Sequence, residues 1–99
     1  MADHIDYVHK VAGPDHVGIG SDFDGIDVGP AGLEDVSKYP DLFAELIRRG
    51  WSDADLRKLA GENVLRVMRQ AEAVSKRLRA SRPASTATIE ALDAAAAAN

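Results

Sequence analysis

Asp22 and Asp24 flank one phenylalanine in the stretch His16-Val17-Gly18-Ile19-Gly20-Ser21-Asp22-Phe23-Asp24-Gly25. A short alternation leads into them, with Val17 and Ile19 on one face and Gly18 and Gly20 on the other. Such alternation predicts a short strand, and glycine within a strand marks a place where something approaches the backbone closely. Continued through Asp24, the period of two puts both carboxylates on the same side. Carboxylates delivered at the end of a strand can bind a cation, ligate a metal or shuttle a proton. The same residues also suit plain turn chemistry, because Asp and Gly bend the backbone and bond to it. Spacing alone leaves both readings open.

Other candidate groups are weaker. A calcium loop beginning at Asp22 would need an oxygen ligand at its fifth position and glycine at its sixth. Ile26 and Asp27 stand there instead. His4-Ile5-Asp6 and His9 fall in the first turns of an expected helix, where residues two apart do not share a face. His4 and His9 are also spaced five apart, unlike the pair of a helical zinc site. These histidines, and His16 at the start of the strand, are read as structural. No metal ligand is assigned, and neither a phosphate loop nor a Ser-His-Asp order is visible.

The expected elements are those that would position the aspartates. Ile5, Val8, Val11 and Ala12 fall at helical spacing, Asp3 is a candidate N-cap, and Gly13-Pro14 ends that helix. After the strand, Ser21 to Tyr39 forms a long connection broken by Gly25, Gly29-Pro30 and Gly32. Pro40 opens a second helix with Leu42, Phe43, Leu46 and Ile47 on its apolar face, closed by Gly50. Ser52, with Asp55 three residues on, caps a short helix to about Leu59. Gly61 precedes the longest helix, from Glu62 to Arg79, with Val64, Val67, Met68, Ala71, Val74 and Leu78 on one face. Arg48-Arg49 and Arg66-Arg69 read as charges on helix surfaces. From Ala80 the composition turns to Ser, Pro and Ala, and residues 80–99 are expected to be a disordered or weakly helical tail. A lone strand cannot satisfy its own backbone. Residues 1–79 therefore read as the last helix-strand-helix portion of a larger α/β sheet or barrel.

Composition sets the outer limits. The chain has 99 residues, no cysteine and a net charge of -4. There is thus no disulfide framework, thiolate metal site or cysteine nucleophile, and a nucleic-acid partner is disfavoured. No apolar run reaches the length of a membrane span. The N-terminus lacks the pattern of a signal peptide, which favours a cytoplasmic location. Between Asp15 and Asp41 the acids face a single cation, Lys38; from Arg57 to Arg82 the balance is basic.

The segment Val17-Gly18-Ile19-Gly20-Ser21-Asp22-Phe23-Asp24-Gly25, followed by Pro30-Ala31-Gly32-Leu33-Glu34-Asp35-Val36-Ser37-Lys38-Tyr39-Pro40, closely resembles the C-terminal region of the membrane (renal) dipeptidase family of zinc peptidases. Leu46-Ile47-Arg48-Arg49-Gly50-Trp51-Ser52 and Gly61-Glu62-Asn63-Val64-Leu65-Arg66-Val67 are similar to it as well. The resemblance runs from Ala2 to about Val74. It implies a (β/α)8 TIM barrel of which this chain holds the last strand and the closing helices. It also implies hydrolysis of dipeptides with two zinc ions, and a frequently homodimeric enzyme. Asp22 matches an aspartate of the family's active site, which implies contact with the substrate and proton transfer to the leaving amine; Asp24 is implied as a supporting residue.

The family's zinc ligands, and the arginine that holds the substrate carboxylate, lie upstream of the matched region and have no counterpart here. Two zinc ions need about four ligands each, so the chain alone is expected to be inactive. A missing N-terminal barrel portion is the expected partner. The rival expectation is a non-enzymatic helical interaction module, or a complementing C-terminal subunit.

Overall fold

A computed structural model describes residues 1–98. Five α-helices are present: α1 (Ala2–Ala12), α2 (Tyr39–Arg48), α3 (Asp53–Arg57), α4 (Asn63–Ser81) and α5 (Ile89–Ala97). Short 3₁₀ turns cover Pro14–His16 and Val36–Lys38, and a wide π-type turn, Lys58–Glu62, links α3 to α4. The chain divides into two compact units, Met1–Met68 and the residues from Arg69 onward.

Helix boundaries follow local chemistry. Gly13 takes φ 87° and its N–H bonds to the His9 carbonyl, ending α1 where the sequence places the stop. That helix begins one residue before the expected cap: Met1 holds the cap position, and Asp3 lies in the first turn, where its charge suits the helix dipole. α2 ends in a paired closure. Gly50, at φ 93°, donates to the Ile47 carbonyl at 2.9 Å, and Trp51 N–H reaches the Leu46 carbonyl at 3.1 Å. Only glycine enters that left-handed geometry without a Cβ penalty. The Ser52 hydroxyl accepts from Asp55 N–H at 3.1 Å and starts α3 as its sequence suggests.

The expected strand is absent. Val17–Gly20 runs extended, with Val17 at φ -130° and ψ 139°, but no strand ladder forms among the described residues. The described residues bring no second strand beside it. Gly18 and Gly20 are exposed and Ile19 is half-buried, so their polar backbone is within reach of water. The segment keeps its alternation all the same: Val17 is buried and Ile19 packs against the core while the glycines face out.

The core of the first unit gathers Ile5 of α1, Val17, Leu33, Leu42 and Leu46 of α2, Leu56 of α3 and Leu59. Leu46 and Leu59 are fully enclosed at 0% and 1% exposure, which makes them its centre. One face of the first turns of α4 stays open, with Val64, Val67 and Met68 all more than half exposed. In the second unit, α5 lies within the segment expected to be a tail; Thr88 Oγ1 caps it by accepting from Ala91 N–H.

A polar clamp fastens α1 to the far end of α2. Arg49 binds Asp6 and Asp3 through Nη1 and Glu45 through Nε, and Trp51 Nε1 donates to Asp6 at 2.7 Å. The rings of His9 and Trp51 lie 4.3 Å apart, and His9 Nε2 meets Asp55 at 3.1 Å, which ties in α3. The hydrogen bonds of Arg49, then of Trp51, hold the Asp6 carboxyl below its ordinary value of 3.8. Lys58, which also meets Asp55, does the same to Asp15. A carboxyl whose folded pKa is depressed contributes fully above its unfolded value and loses that contribution as pH falls through the folded one. Stability is therefore expected to hold down to about pH 3.8 and to drain below it. In urea melts taken across pH 2–7, Asp6→Asn should lower stability near neutrality and flatten the acid limb of the profile.

Candidate active site

Asp22 is the one residue other than glycine with positive φ among the described residues, at 53°. The left-handed region disfavours a Cβ, although Asp and Asn tolerate it better than most residues. The chain turns directly afterwards, and Gly25 N–H closes on the Asp22 carbonyl at 2.8 Å. Phe23 is half-buried and sets its ring 5.5 Å from that of Tyr39, at the start of α2. This aromatic pair anchors the turn on the core and leaves Asp22 and Asp24 exposed on either side.

The turn corrects the expectation that both carboxylates share a strand face. Period-two alternation stops at Ser21, because the left-handed Asp22 reverses the backbone before Asp24 is reached. Asp24 lies inside the turn. The Asp22 carboxylate folds over Gly25, where an added Cβ would come within 2.5 Å of Oδ1. Neither aspartate forms an ion pair or a side-chain hydrogen bond among the described residues, so both are free to meet an incoming donor. A small hollow of about 130 Å³ is walled by Met1, Ile5, Ile19, Phe23, Leu33 and Leu42; neither aspartate lines it.

The rest of the loop is fastened from within. Glu34 accepts the Gly32 N–H at 2.7 Å, and Asp35 caps the turn at Val36 by accepting from Ser37 N–H at 2.8 Å. Both carboxyls are thereby held below their ordinary range, with the Gly32 N–H the largest cause for Glu34 and the Ser37 hydroxyl for Asp35. These acids are structural, which separates them from Asp22 and Asp24.

Metal chemistry has no home among these residues. No group of three His, Asp or Glu side chains is close enough to hold an ion among the described residues. His9 is engaged with Asp55 and Trp51, in keeping with its structural reading. His4 and His16 are exposed.

Two residues to which the sequence pattern assigns no site role organise the start of the extended segment. Asn63, only 5% exposed, donates through Nδ2 to the carbonyls of Pro14 and Val17 at 2.8 and 2.9 Å. Arg66, read from the sequence as a surface charge, donates to Asn63 Oδ1 at 2.8 Å and to the Asp15 carbonyl at 2.7 Å. The available signal was a short polar residue opening the long helix just after a glycine break.

With this geometry in view, comparison with known proteins is direct. The family model for membrane dipeptidase (peptidase family M19) matches residues 1–82, and the chain belongs to that family. It is 54% identical to the dipeptidase ataJ of Aspergillus terreus over 77 residues, which are 78% of this chain and 19% of that protein. It is 58% identical to the dipeptidase aclJ of Aspergillus oryzae over 78 residues, 79% of this chain and 18% of that protein. The chain thus spans about a fifth of the length of the curated relatives it matches.

The backbone at Asp22 can be probed directly. Asp22→Asn and Asp22→Gly should fold with unchanged or slightly higher stability, whereas Asp22→Val should cost about 1–2 kcal/mol, because a β-branched residue fits the left-handed region poorly. Urea unfolding of the three variants measures this. Equal stability of the valine and glycine variants would show that the backbone is not held left-handed.

Proposed function

We propose that this chain supplies one wall of a dipeptidase active site, with Asp22 as its catalytic and substrate-binding residue. The observation that carries this reading is the left-handed backbone of an exposed, unpartnered aspartate at the end of an extended apolar segment. Backbone strain at an exposed polar residue is retained where a side chain must be aimed. In this reading the Asp22 carboxylate accepts a hydrogen bond from the dipeptide's amino group, takes a proton from the water that attacks the peptide carbonyl, and passes that proton to the amine released as the C–N bond breaks. Asp24, in the turn beside it, supports the local negative potential and does not touch the substrate.

The reading extends to architecture. Val17–Gly20 would be the last strand of a (β/α)8 barrel, and α1, α2, α3 and α4 helices of its outer layer. The unpaired extended backbone and the open face of Val64, Val67 and Met68 support this, since both are surfaces that a larger assembly would cover. The family's zinc ions do not fit the side chains described here, which offer no cluster of three donors. They would be held by the polypeptide that supplies the remaining strands, whether joined to this chain or separate from it.

The test replaces the matched 78 residues of the Aspergillus oryzae dipeptidase with this chain. The chimera should hydrolyse dipeptides and lose that activity to a zinc chelator, while the 99-residue chain alone does neither and binds no zinc tightly. In the chimera, Asp22→Asn should lower kcat by at least about 100-fold, the range expected on losing a proton-transfer group. Asp24→Asn should lower it by less than about 10-fold. Equal losses at the two positions would remove the role assigned to Asp22.

A further inference from the structure

Asn63 is the one buried polar side chain in the core among the described residues, and its amide is bonded at both its nitrogen and its oxygen. Both amide hydrogens go to backbone carbonyls at the start of the extended segment, those of Pro14 and Val17. Its oxygen is occupied by Arg66, whose other arm takes the Asp15 carbonyl. Three carbonyls in four consecutive residues are thus fixed by two side chains from the first turn of α4. Gly61, just before, takes φ 172° and ψ -19° and breaks the helix, so that α4 restarts with Asn63 as its first residue.

Beyond this point the segment has little to hold it. Gly18, Ile19, Gly20 and Ser21 form no hydrogen bond among the described residues; only the Ile19 side chain, packed against the core, holds the segment before Phe23 meets Tyr39. The segment is suspended between two anchors, the Asn63–Arg66 pair at Val17 and the aromatic pair at Phe23. Asp22 lies next to the second anchor. Between the first anchor and Asp22 no hydrogen bond holds the backbone among the described residues.

We propose that Asn63 and Arg66 are positioning residues that set where the extended segment begins, and thereby where the Asp22 carboxylate is presented. The inference rests on the role of Asp22 given above. Neither residue touches the substrate. Asn63 holds the backbone, and Arg66 holds Asn63 in the orientation that turns both of its amide hydrogens toward the carbonyls. Asn63→Asp keeps the volume but replaces two donors with a carboxylate facing two carbonyl oxygens. Arg66→Lys keeps the charge but has one ammonium where two contacts need a fork.

The experiment has two arms. In the 99-residue chain, amide exchange at Gly25, whose N–H closes the Asp22 turn, is followed by NMR. Asn63→Asp should accelerate it by roughly 10-fold or more, as expected when a buried hydrogen-bonded anchor is lost. Arg66→Lys should move it in the same direction, and amides in α2 near Leu46 should stay unchanged in both variants. Should Asn63→Asp fail to fold, the half-exposed Arg66→Lys decides this arm alone. Unchanged exchange at Gly25 in a folded variant overturns the proposal. In the chimera, Asn63→Asp should lower kcat about 10-fold when Asp22 is present and cause no further loss in an Asp22→Asn background, because coupled residues are not additive. The same fold-loss in both backgrounds marks a merely structural role and also overturns it. An inactive chimera with all wild-type residues defeats the proposed function instead, and the exchange arm still decides whether the anchor controls the turn.

Discussion

An extended backbone with no strand beside it must find partners for its polar groups one at a time, and the first unit is built around that constraint. Regular ladders satisfy donors and acceptors in bulk. Here Val17–Ser21 has none, and the work is divided. The Val17 carbonyl goes to Asn63, the Asp15 carbonyl just before the segment goes to Arg66, and Gly18 and Gly20 are left exposed to water. The apolar alternation still counts, because Val17 and Ile19 tie the segment to the Leu46–Leu59 core even without a sheet. Helix α4 has to begin where it does so that Asn63 can reach back to Val17, and the break at Gly61 permits that start.

The second fastening is electrostatic and joins α1 to the end of α2. Asp6 accepts from both Arg49 and Trp51, and Arg49 also meets Asp3 and Glu45. Single exposed ion pairs contribute little. A guanidinium shared by three carboxylates and backed by an indole is a network, and its geometry fixes the angle at which α1 meets the end of α2. The acids of this network are committed to holding helices. Asp22 and Asp24 have no such partner, and charge segregation along the sequence conceals this difference, since both groups look equally acidic in a linear reading.

Much of the helical frame was legible in the sequence for local reasons. Gly13, Gly50 and Ser52 act within a few residues of themselves, so their roles follow from their types and neighbours. The strand expected at Val17–Gly20 does not form among the described residues for a nonlocal reason: alternation predicts an extended backbone, but pairing depends on a second strand that these residues do not provide. The shared face of Asp22 and Asp24 failed because one backbone angle, φ 53° at Asp22, ends the period of two. Arg49 and Arg66 read as surface charges in the sequence because their partners lie 43 and 51 residues away, and spacing along a helix cannot reveal such contacts.

The left-handed aspartate bears on how the site is used. A glycine would take φ 53° without a Cβ penalty, and an asparagine would keep the tolerance for αL but not the charge. A carboxylate here, exposed and unpaired, is explained by what it presents outward rather than by what it holds inward. Its fold over Gly25 sharpens the point. At 2.5 Å, a Cβ on Gly25 would displace Asp22 Oδ1, so glycine at that position protects the carboxylate's place as well as the turn's shape. The Asp-Phe-Asp-Gly sequence thus divides its labour: one residue presents a charge, one anchors to Tyr39, one stays in solvent, and one leaves room for the first.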